Sequence, residues 1–336
     1  MRPGRTVILM RHGMRQPFSD TRFQHGQLTY RGRRLCRDMG KWIGSDLQEK
    51  GLVREEQASL KTAADSAARC IVSAEAFAEG FLGRHGPAEK HEGWPAGLFI
   101  PGLTGVSEGF RQEAEQQVLC HAGLSSLDEL PYTLAPELSV LERLTGRMFS
   151  EGTAELVLEE GKGPVLTGPL QTAAAAADTI LCHDLVRQPF REHLSENDRN
   201  ALACIIDRYR EILFGTEIIA KHALAPFLQQ LQNELCSDAQ ENLLLSVHDT
   251  TIKAVLTVLG LSDAAFPGNT AGEIPFGSCL CFEQFEDELN LPRTQIRRIC
   301  PTNDQIWEGA PLNRMHPPLS SVLLTDLPGL PERLSG

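Results

Sequence analysis

Several features that define common protein classes are missing from this sequence of 336 residues. No apolar run approaches the roughly 20 residues that cross a bilayer, so we expect no membrane-spanning segment. No CxxC pair occurs, and nine cysteines cannot close completely into disulfides, so we expect mostly free, buried thiols with room for one or two bridges. GxGxxG after a strand and GxxxxGK followed by Ser or Thr are both missing, which argues against dinucleotide and nucleoside triphosphate sites.

Basic residues are also in the minority. There are 32 Lys and Arg residues against 44 Asp and Glu residues, and the formal net charge is −12 at pH 7. An acidic protein repels nucleic acid and anionic membranes, so we expect neither as a partner. Apolar residues make up 41% of the chain and charged residues 23%, which is the balance of an ordinary globular protein.

Strand and helix patterns alternate near both ends of the chain. Residues 7–10 and 243–247 are unbroken apolar runs, typical of strands buried on both faces. The second run leads into a helical pattern, with Asp249 and Thr250 as favoured N-cap types. Another helical pattern covers residues 67–78. This alternation predicts an α/β fold with a central, mostly parallel sheet flanked by helices.

The middle of the chain has a different character. It is mostly helical, with only weak strand signals around residues 155–158 and 164–166. We therefore predict a discontinuous α/β catalytic domain (1–107 and 215–336) and an inserted, smaller helical domain (108–214) that forms the other wall of a cleft. The proline-rich tail predicts extended chain.

Charged residues follow each apolar run directly. Arg11, His12 and Arg15 stand at the carboxyl end of the first predicted strand, where ligands bind in α/β sheets. The planar guanidinium of arginine matches phosphate or carboxylate oxygens, although a surface turn with paired arginines explains the same residues. His248 and Asp249 follow the second run, at a helix N-terminus that favours an anion; taken alone, an N-capping Asp beside an incidental His would suffice.

Together the two motifs supply a nucleophile, cations and a proton donor, which is the set that phosphoryl transfer needs. RHGxRxP (residues 11–17) and HDT (residues 248–250) resemble the motifs of the histidine acid phosphatases. This branch of the histidine phosphatase superfamily includes bacterial periplasmic phytases and glucose-1-phosphatases. LTYRG at residues 28–32 and TAAD at residues 62–65, followed by Arg69, are similar to further family segments in the same order.

The resemblance implies an acid phosphatase that hydrolyses small organic or sugar phosphates through a phosphohistidine at His12. Asp249 would protonate the leaving alcohol, so activity should favour acidic pH. No metal and no other cofactor is implied, because arginines supply the positive charge. The side chains that would hold the phosphate oxygens are Arg11, Arg15, Arg69 and His248.

Departures from the family pattern bear on the substrate. Family phytases usually carry a Lys shortly after RHGxRxP, whereas Phe18, Ser19 and Asp20 follow here, so phytate is a less favoured substrate. Asp178 aligns with an acidic substrate-side residue of relatives, and a solvated helix charge explains it equally well.

Two other functions and the cellular location stay open. A non-catalytic protein that binds sugar phosphates or inositol phosphates could use the same scaffold. A mutase-type phosphoryl transferase belongs to the same superfamily, but its signature lacks HD at this place. The resemblance implies a periplasmic or secreted protein, whereas the first residues, MRPGRTVILM, show no signal peptide and leave a cytoplasmic location open.

Overall fold

The computed structural model describes residues 4–18, 26–53, 59–83, 89–186, 194–261, 272–289, 291–325 and 334. The predicted α/β class is confirmed. The strands are β1 (Thr6–Arg11), β2 (Leu60–Ala64), β3 (Glu89–Lys90), β4 (Glu155–Val157), β5 (Val165–Thr167), β6 (Asn242–Val247), β7 (Cys279–Glu286), β8 (Pro292–Cys300) and β9 (Leu319–Thr325). The helices are α1 (Tyr30–Glu49), α2 (Ala68–Leu82), α3 (Glu108–Ala122), α4 (Leu130–Thr133), α5 (Ala135–Thr145), α6 (Pro169–Val186), α7 (Glu196–Phe214), α8 (Glu217–Leu235) and α9 (Asp249–Val258).

Seven of the strands form one sheet in the order β3-β2-β6-β1-β7-β8-β9. The pairs from β3 to β1 are parallel, and the pairs from β1 to β9 are antiparallel. The sheet is therefore mixed, and the expectation of a mostly parallel sheet holds only for its first half. Part of the reason is the connection between β7 and β8, which is too short for a crossover helix and permits only antiparallel pairing of these two strands.

The two apolar runs of the sequence form the centre of this sheet. Val7 to Met10 in β1 and all residues of β6 are buried, because helices cover both faces there. β6 pairs with β1 on one side and with β2 on the other. The carboxyl ends of β2, β6 and β1 therefore lie next to one another along one edge of the sheet.

The chain between β3 and β6 adds no strand to this sheet within the described ranges. It forms α3 to α8 and a small two-stranded sheet of β4 and β5, at the positions of the weak strand signals. α6 and α7 pack on each other and form one wall of the cleft described below. The predicted domain limits, 1–107 with 215–336 and 108–214, stay a prediction.

The proline-rich tail contributes a strand that the sequence did not indicate. β9 pairs antiparallel with β8 and forms the outer edge of the sheet. The later part of the tail, residues 326–331, lies outside the described residues. No helix in the described ranges combines the length and apolar character needed to cross a membrane. All nine cysteines are described and all are free, so the expectation of mostly free thiols is confirmed.

A buried ion pair joins α1 to the antiparallel half of the sheet. Arg297 on β8 is 3% exposed, and its Nε donates to the carboxylate of Glu283 on β7 at 2.7 Å. The same guanidinium lies 2.5 Å from a carboxylate oxygen of Asp46 on α1. Glu283 is 1% exposed, and its second oxygen lies 3.8 Å from Nζ of Lys50. A buried carboxylate in this position depends on Arg297 for compensation of its charge.

We expect Arg297→Met to lower the free energy of unfolding by about 3–5 kcal/mol, because Glu283 then keeps a buried charge without its main partner. Urea unfolding followed by circular dichroism measures the change. Arg293→Met on the same strand is the matched control, since its ion pair with Asp287 is partly exposed and contributes about 0–1 kcal/mol. Equal losses in the two variants would contradict a special role for the buried pair.

Candidate active site

The loops after β1, β2 and β6 continue the sheet's hydrogen bonding into the site. The backbone N–H of His12 donates to the carbonyl of Val247 at 3.1 Å, and the N–H of Asp65 donates to the carbonyl of Ser246 at 3.1 Å. These bonds fix the three loops relative to one another. The first residues after each strand therefore converge on one cleft.

Two glycines let the loop after β1 lie against the N-terminus of α1. A Cβ atom on Gly13 would stand 2.6 Å from the carbonyl oxygen of Gly32, and a Cβ atom on Gly32 would stand 2.3 Å from the carbonyl oxygen of Met14. Thr29 caps α1 by accepting from the N–H of Gly32. Gly13 therefore serves close backbone approach, which places His12 at the base of the cleft.

The hydrogen bonds of His12 identify its neutral tautomer. Nδ1 lies 2.8 Å from the carbonyl oxygen of Gly13 and must donate to it. Nε of Arg69 donates to Nε2 of His12 at 3.2 Å, so Nε2 is the unprotonated nitrogen. Burial, followed by the charges of Arg11, His248 and Arg69, lowers the pKa of His12 well below its ordinary value. The imidazole therefore keeps a free lone pair at acidic pH.

Arg11 and Asp249 form the central ion pair of the cleft. The guanidinium of Arg11 lies 2.9 Å from Oδ2 of Asp249 and stacks over the ring of Phe276, with 4.1 Å between Cζ and the ring centre. It also donates to the carbonyl of Ile274. Its Nε is buried and has no hydrogen-bond acceptor among the described residues. Such an unpaired buried donor is costly, and an anion in the cleft would satisfy it.

Arg15 forms an ion pair with a residue on the opposite wall of the cleft, in α6. Its guanidinium lies 2.5 Å from Oδ2 of Asp178 on α6 and stacks over the ring of Phe18 at 3.9 Å. Asp178 is therefore an arginine partner in the free protein and not merely a solvated helix charge. A substrate-side role for Asp178 stays a prediction.

His248 stands beside His12 with its ring edge-on, at 5.3 Å between ring centres. Its Nε2 lies 3.4 Å from Oδ1 of Asp65. Burial alone would raise the pKa of Asp65, but the hydrogen bonds from His248 and from the N–H of Ala67 hold it below the ordinary value. Asp65 is therefore ionised where it contacts His248.

The structure brings all the predicted site residues into one cleft. They are Arg11, His12, Arg15, Arg69, Asp178, His248 and Asp249. The wall away from the loops comes from α6 and α7 and is mostly apolar, with Ala174, Ala175, Ile206, Tyr209 and Leu213.

The N-terminus of α9 differs from the expectation that Asp249 or Thr250 caps it. The N-cap position belongs to His248, and Asp249 is the first helical residue. Oδ1 of Asp249 accepts from the N–H of Thr250 at 2.9 Å, whereas Oδ2 receives the guanidiniums. The carboxylate faces the arginines in the cleft. It therefore does not accept a hydrogen bond from the N–H of the second or third helical residue, as a capping side chain usually does.

Arg210 on α7 is a site residue that sequence reasoning missed. It is 3% exposed, and its guanidinium donates to Oδ2 of Asp249 at 2.8 Å and to Asp207 at 2.5 Å. Asp207 also accepts from the N–H of Glu273 at 2.7 Å. The spacing of Asp207 and Arg210, three residues apart on a predicted helix, was the available signal, but such pairs usually lie on solvated faces.

Asp249 is therefore held between two guanidiniums. Burial alone would raise its pKa, but the charges of Arg11 and Arg210 lower it well below the ordinary value of an aspartate. The carboxylate is ionised in the free protein. A proton donor at this position must gain its proton when the substrate binds.

The match to a family model decides which family the chain belongs to. The model described as "Histidine phosphatase superfamily (branch 2)" matches residues 19–100 and 215–300, which together make up half of the chain. The chain belongs to the histidine phosphatase superfamily, branch 2. The family resemblance of the sequence is thereby confirmed, and with it the class of phosphatase.

A curated relative and two solved structures resemble the chain at low sequence identity. This histidine phosphatase is 22% identical to a glucose-1-phosphatase of Providencia rettgeri, over 96% of its own length and 86% of the relative. The Hafnia alvei phytase superposes with a TM-score of 0.83 at 22% identity, over 99% of this chain and 95% of that one. A Citrobacter braakii phytase reaches a TM-score of 0.83 at 18% identity, over 100% and 96%.

We expect Arg210→Gln to move the alkaline limb of the kcat profile to higher pH by about one unit. Removing one of two cations raises the pKa of Asp249, so its protonated form persists at higher pH. Arg210→Lys, which keeps the charge, should stay close to the wild type. The kcat for glucose-1-phosphate, whose leaving hydroxyl needs a proton, measured in small pH steps, gives the profiles.

Arg208→Gln is the matched control, because Arg208 lies on the same helix and donates to the carbonyl of Ala122 instead. Its profile should not move. A profile of Arg210→Gln that coincides with the wild type, in a folded protein, would contradict the influence of Arg210 on Asp249.

Proposed function

We propose that this histidine phosphatase transfers the phosphoryl group of a monoester to Nε2 of His12 and then to water. The single observation that carries the proposal is the convergence of an unprotonated Nε2 with three guanidiniums and Asp249 in one cleft. A surface turn with paired arginines would not bury the histidine among them. Phosphoryl transfer depends on positioning and charge stabilisation, and both are present in this arrangement.

The phosphate group takes over arginine contacts that carboxylates occupy in the free protein. Its oxygens supply the missing acceptor for Nε of Arg11 and compete with Asp178 for Arg15. Arg69 already faces His12 and reaches a third oxygen from the same side. Guanidinium groups bind phosphate through short, charge-assisted hydrogen bonds, so the exchange replaces one set of ion pairs by another.

The reaction then runs in two balanced steps. Nε2 of His12 forms a bond to phosphorus while the ester P–O bond breaks, and protonated Asp249 gives its proton to the leaving alcohol oxygen. In the second step the Asp249 carboxylate takes a proton from water. The water oxygen bonds to phosphorus, the N–P bond breaks with its electrons returning to Nε2, and orthophosphate leaves.

The substrate supplies the proton that Asp249 lacks. Phosphate monoesters have a second pKa of about 6, so at lower pH the substrate enters as a monoanion. Binding draws the charge of Arg11 toward phosphate, and the carboxylate can then accept the substrate's proton. Because the lowered pKa of His12 leaves it neutral in this range, nucleophile and acid are competent together at acidic pH.

The cleft favours an ester with one phosphate group. The described residues that line it include no lysine, and the guanidinium of Arg210 is already neutralised by Asp207 and Asp249. Beyond the phosphate position the wall is apolar, so a second phosphate would meet little positive charge. The relatives are named as a glucose-1-phosphatase and as phytases; we propose small organic or sugar phosphates as substrates, with phytate less favoured.

A periplasmic location stays a prediction from the family. The nine free cysteines favour a reducing compartment, because disulfides form readily in the periplasm. Cell fractionation decides between the two locations.

We expect His12→Asn to lower kcat for p-nitrophenyl phosphate by at least about a thousandfold, since loss of a nucleophile removes the covalent route. His222→Asn on α8 is the matched control and should keep wild-type activity, because its Nδ1 contacts only its own helix at Ile218. Rapid quenching should trap an acid-labile phosphoenzyme in the wild type and none in His12→Asn. A wild type that binds phosphate but hydrolyses no ester would favour the non-catalytic alternative.

We expect kcat/KM for glucose-1-phosphate to exceed that for phytate by at least about tenfold, because the cleft lacks cations for further phosphates. Ala175→Lys adds a cation to the exposed rim of the wall and should raise the phytate-to-glucose-1-phosphate ratio several-fold. Thr172→Lys, exposed on the same helix but outside the cleft lining, should leave the ratio unchanged. Equal kcat/KM values for both substrates would overturn the monophosphate preference.

A further inference from the structure

Asp65 and Cys70 lie next to His248 but have no part in the phosphoryl transfer described above. Nε2 of His248 lies 3.4 Å from Oδ1 of Asp65 and 3.9 Å from Sγ of Cys70. One donor atom from each of the three residues lies within 4.8 Å of the other two. A carboxylate, a thiol and an imidazole thus face one another at the side of the cleft.

The fold fixes all three side chains. Asp65 directly follows β2 and is oriented by the N–H of Ala67, which donates to its Oδ1 at 2.8 Å. Cys70 lies in the first turn of α2 and is fully buried. His248 follows the neighbouring strand β6 and is half-buried, so the group opens to the cleft on the side of the imidazole. Binding there would need little rearrangement of the backbone.

The donor set and its spacing suit zinc. Zn²⁺ prefers thiolate, imidazole and carboxylate ligands, and three protein ligands with an open fourth position are common. Around a tetrahedral Zn²⁺ with bonds of about 2.0–2.3 Å, neighbouring donor atoms lie about 3.3–3.8 Å apart. The contacts of 3.4 and 3.9 Å are close to these separations. A thiolate and a carboxylate together balance the charge of the ion.

We propose that Asp65, Cys70 and His248 form an inhibitory site for Zn²⁺ or a similar thiophilic divalent cation. The ion displaces the proton of the Cys70 thiol and the proton on Nε2 of His248. Nε2 of His248 is then occupied by the metal, so His248 no longer offers this nitrogen as a donor to phosphate. The inhibition, but not the binding, rests on the proposed function of the cleft.

Without metal, Cys70 is an inert thiol. Burial, and then the charge of Asp65, raise the pKa of Cys70 to about 12. Its contact with the carbonyl of Val247, at 4.0 Å, is weak. Cys70 can therefore be replaced without removing a group that touches the substrate.

Titration with Co²⁺ and Zn²⁺ tests the site on the full chain. We expect one Co²⁺ per chain with a thiolate-to-cobalt absorption band, displaced by one equivalent of Zn²⁺. In the wild type, at p-nitrophenyl phosphate concentrations well below KM, Zn²⁺ should abolish hydrolysis with a midpoint equal to its dissociation constant, measured against a chromophoric chelator. Cys70→Ser should remove the band, weaken Zn²⁺ binding at least about tenfold and shift the inhibition midpoint equally.

Cys120→Ser is the control for surface binding, because Cys120 is an exposed thiol next to His121. It should leave both the absorption band and the inhibition unchanged. Asp65→Asn should weaken binding while the band persists, since the thiolate remains. If Cys70→Ser binds Zn²⁺ as tightly as the wild type, or if bound Zn²⁺ leaves hydrolysis intact, the proposal is wrong. A wild-type protein that shows the cobalt band but hydrolyses no ester would contradict the proposed function and not the metal site.

Discussion

The desolvation of guanidinium groups at one edge of the sheet is the constraint on which this site depends. Arg11, Arg15 and Arg210 are almost completely removed from water, and a buried charge is tolerated only when it is paired. Each has a carboxylate partner in the free protein, Asp249, Asp178 or Asp207. The carboxylates thus hold the arginines in the positions where we propose that they bind phosphate.

The same surroundings favour the protonation state that the reaction needs at His12 and disfavour the one it needs at Asp249. Positive charge and burial keep His12 neutral, so its lone pair is available where an exposed imidazole would be protonated. The positive charge also keeps Asp249 ionised, although the reaction needs it as an acid. In the proposed mechanism an entering anion resolves this conflict, because it neutralises the arginines that hold the carboxylate. Catalytic competence would thereby be coupled to substrate binding.

His248 lies between His12 on one side and Asp65 and Cys70 on the other. Toward His12 it faces the phosphate position, and toward β2 it meets the carboxylate of Asp65 and the thiol of Cys70. A side chain that can bind an anion on one side and ligate a cation on the other allows the cation to regulate hydrolysis. If both proposals hold, sharing His248 would make binding at the two positions mutually exclusive.

The class of fold, the central strands and the chemistry at their ends could all be predicted from the sequence. Unbroken apolar runs identify strands buried on both faces, and histidine and arginine directly after such a strand are too costly to bury without an anion. These are local signals, and they located β1, β6 and the residues from Arg11 to Arg15. The family motifs extended them to Arg69 and Asp249.

Only the tertiary structure decided the partners of these residues. Arg210 lies 39 residues before Asp249 and reads as one charge on an amphipathic helix until α7 is packed across the cleft. The antiparallel pairing of β7 with β1 and the position of the edge strand β9 depend on segments that are separated in sequence, and periodicity does not encode such pairing. The grouping of Cys70 with His248 likewise arises because β2 and β6 are neighbours, although 178 positions of chain separate the two side chains.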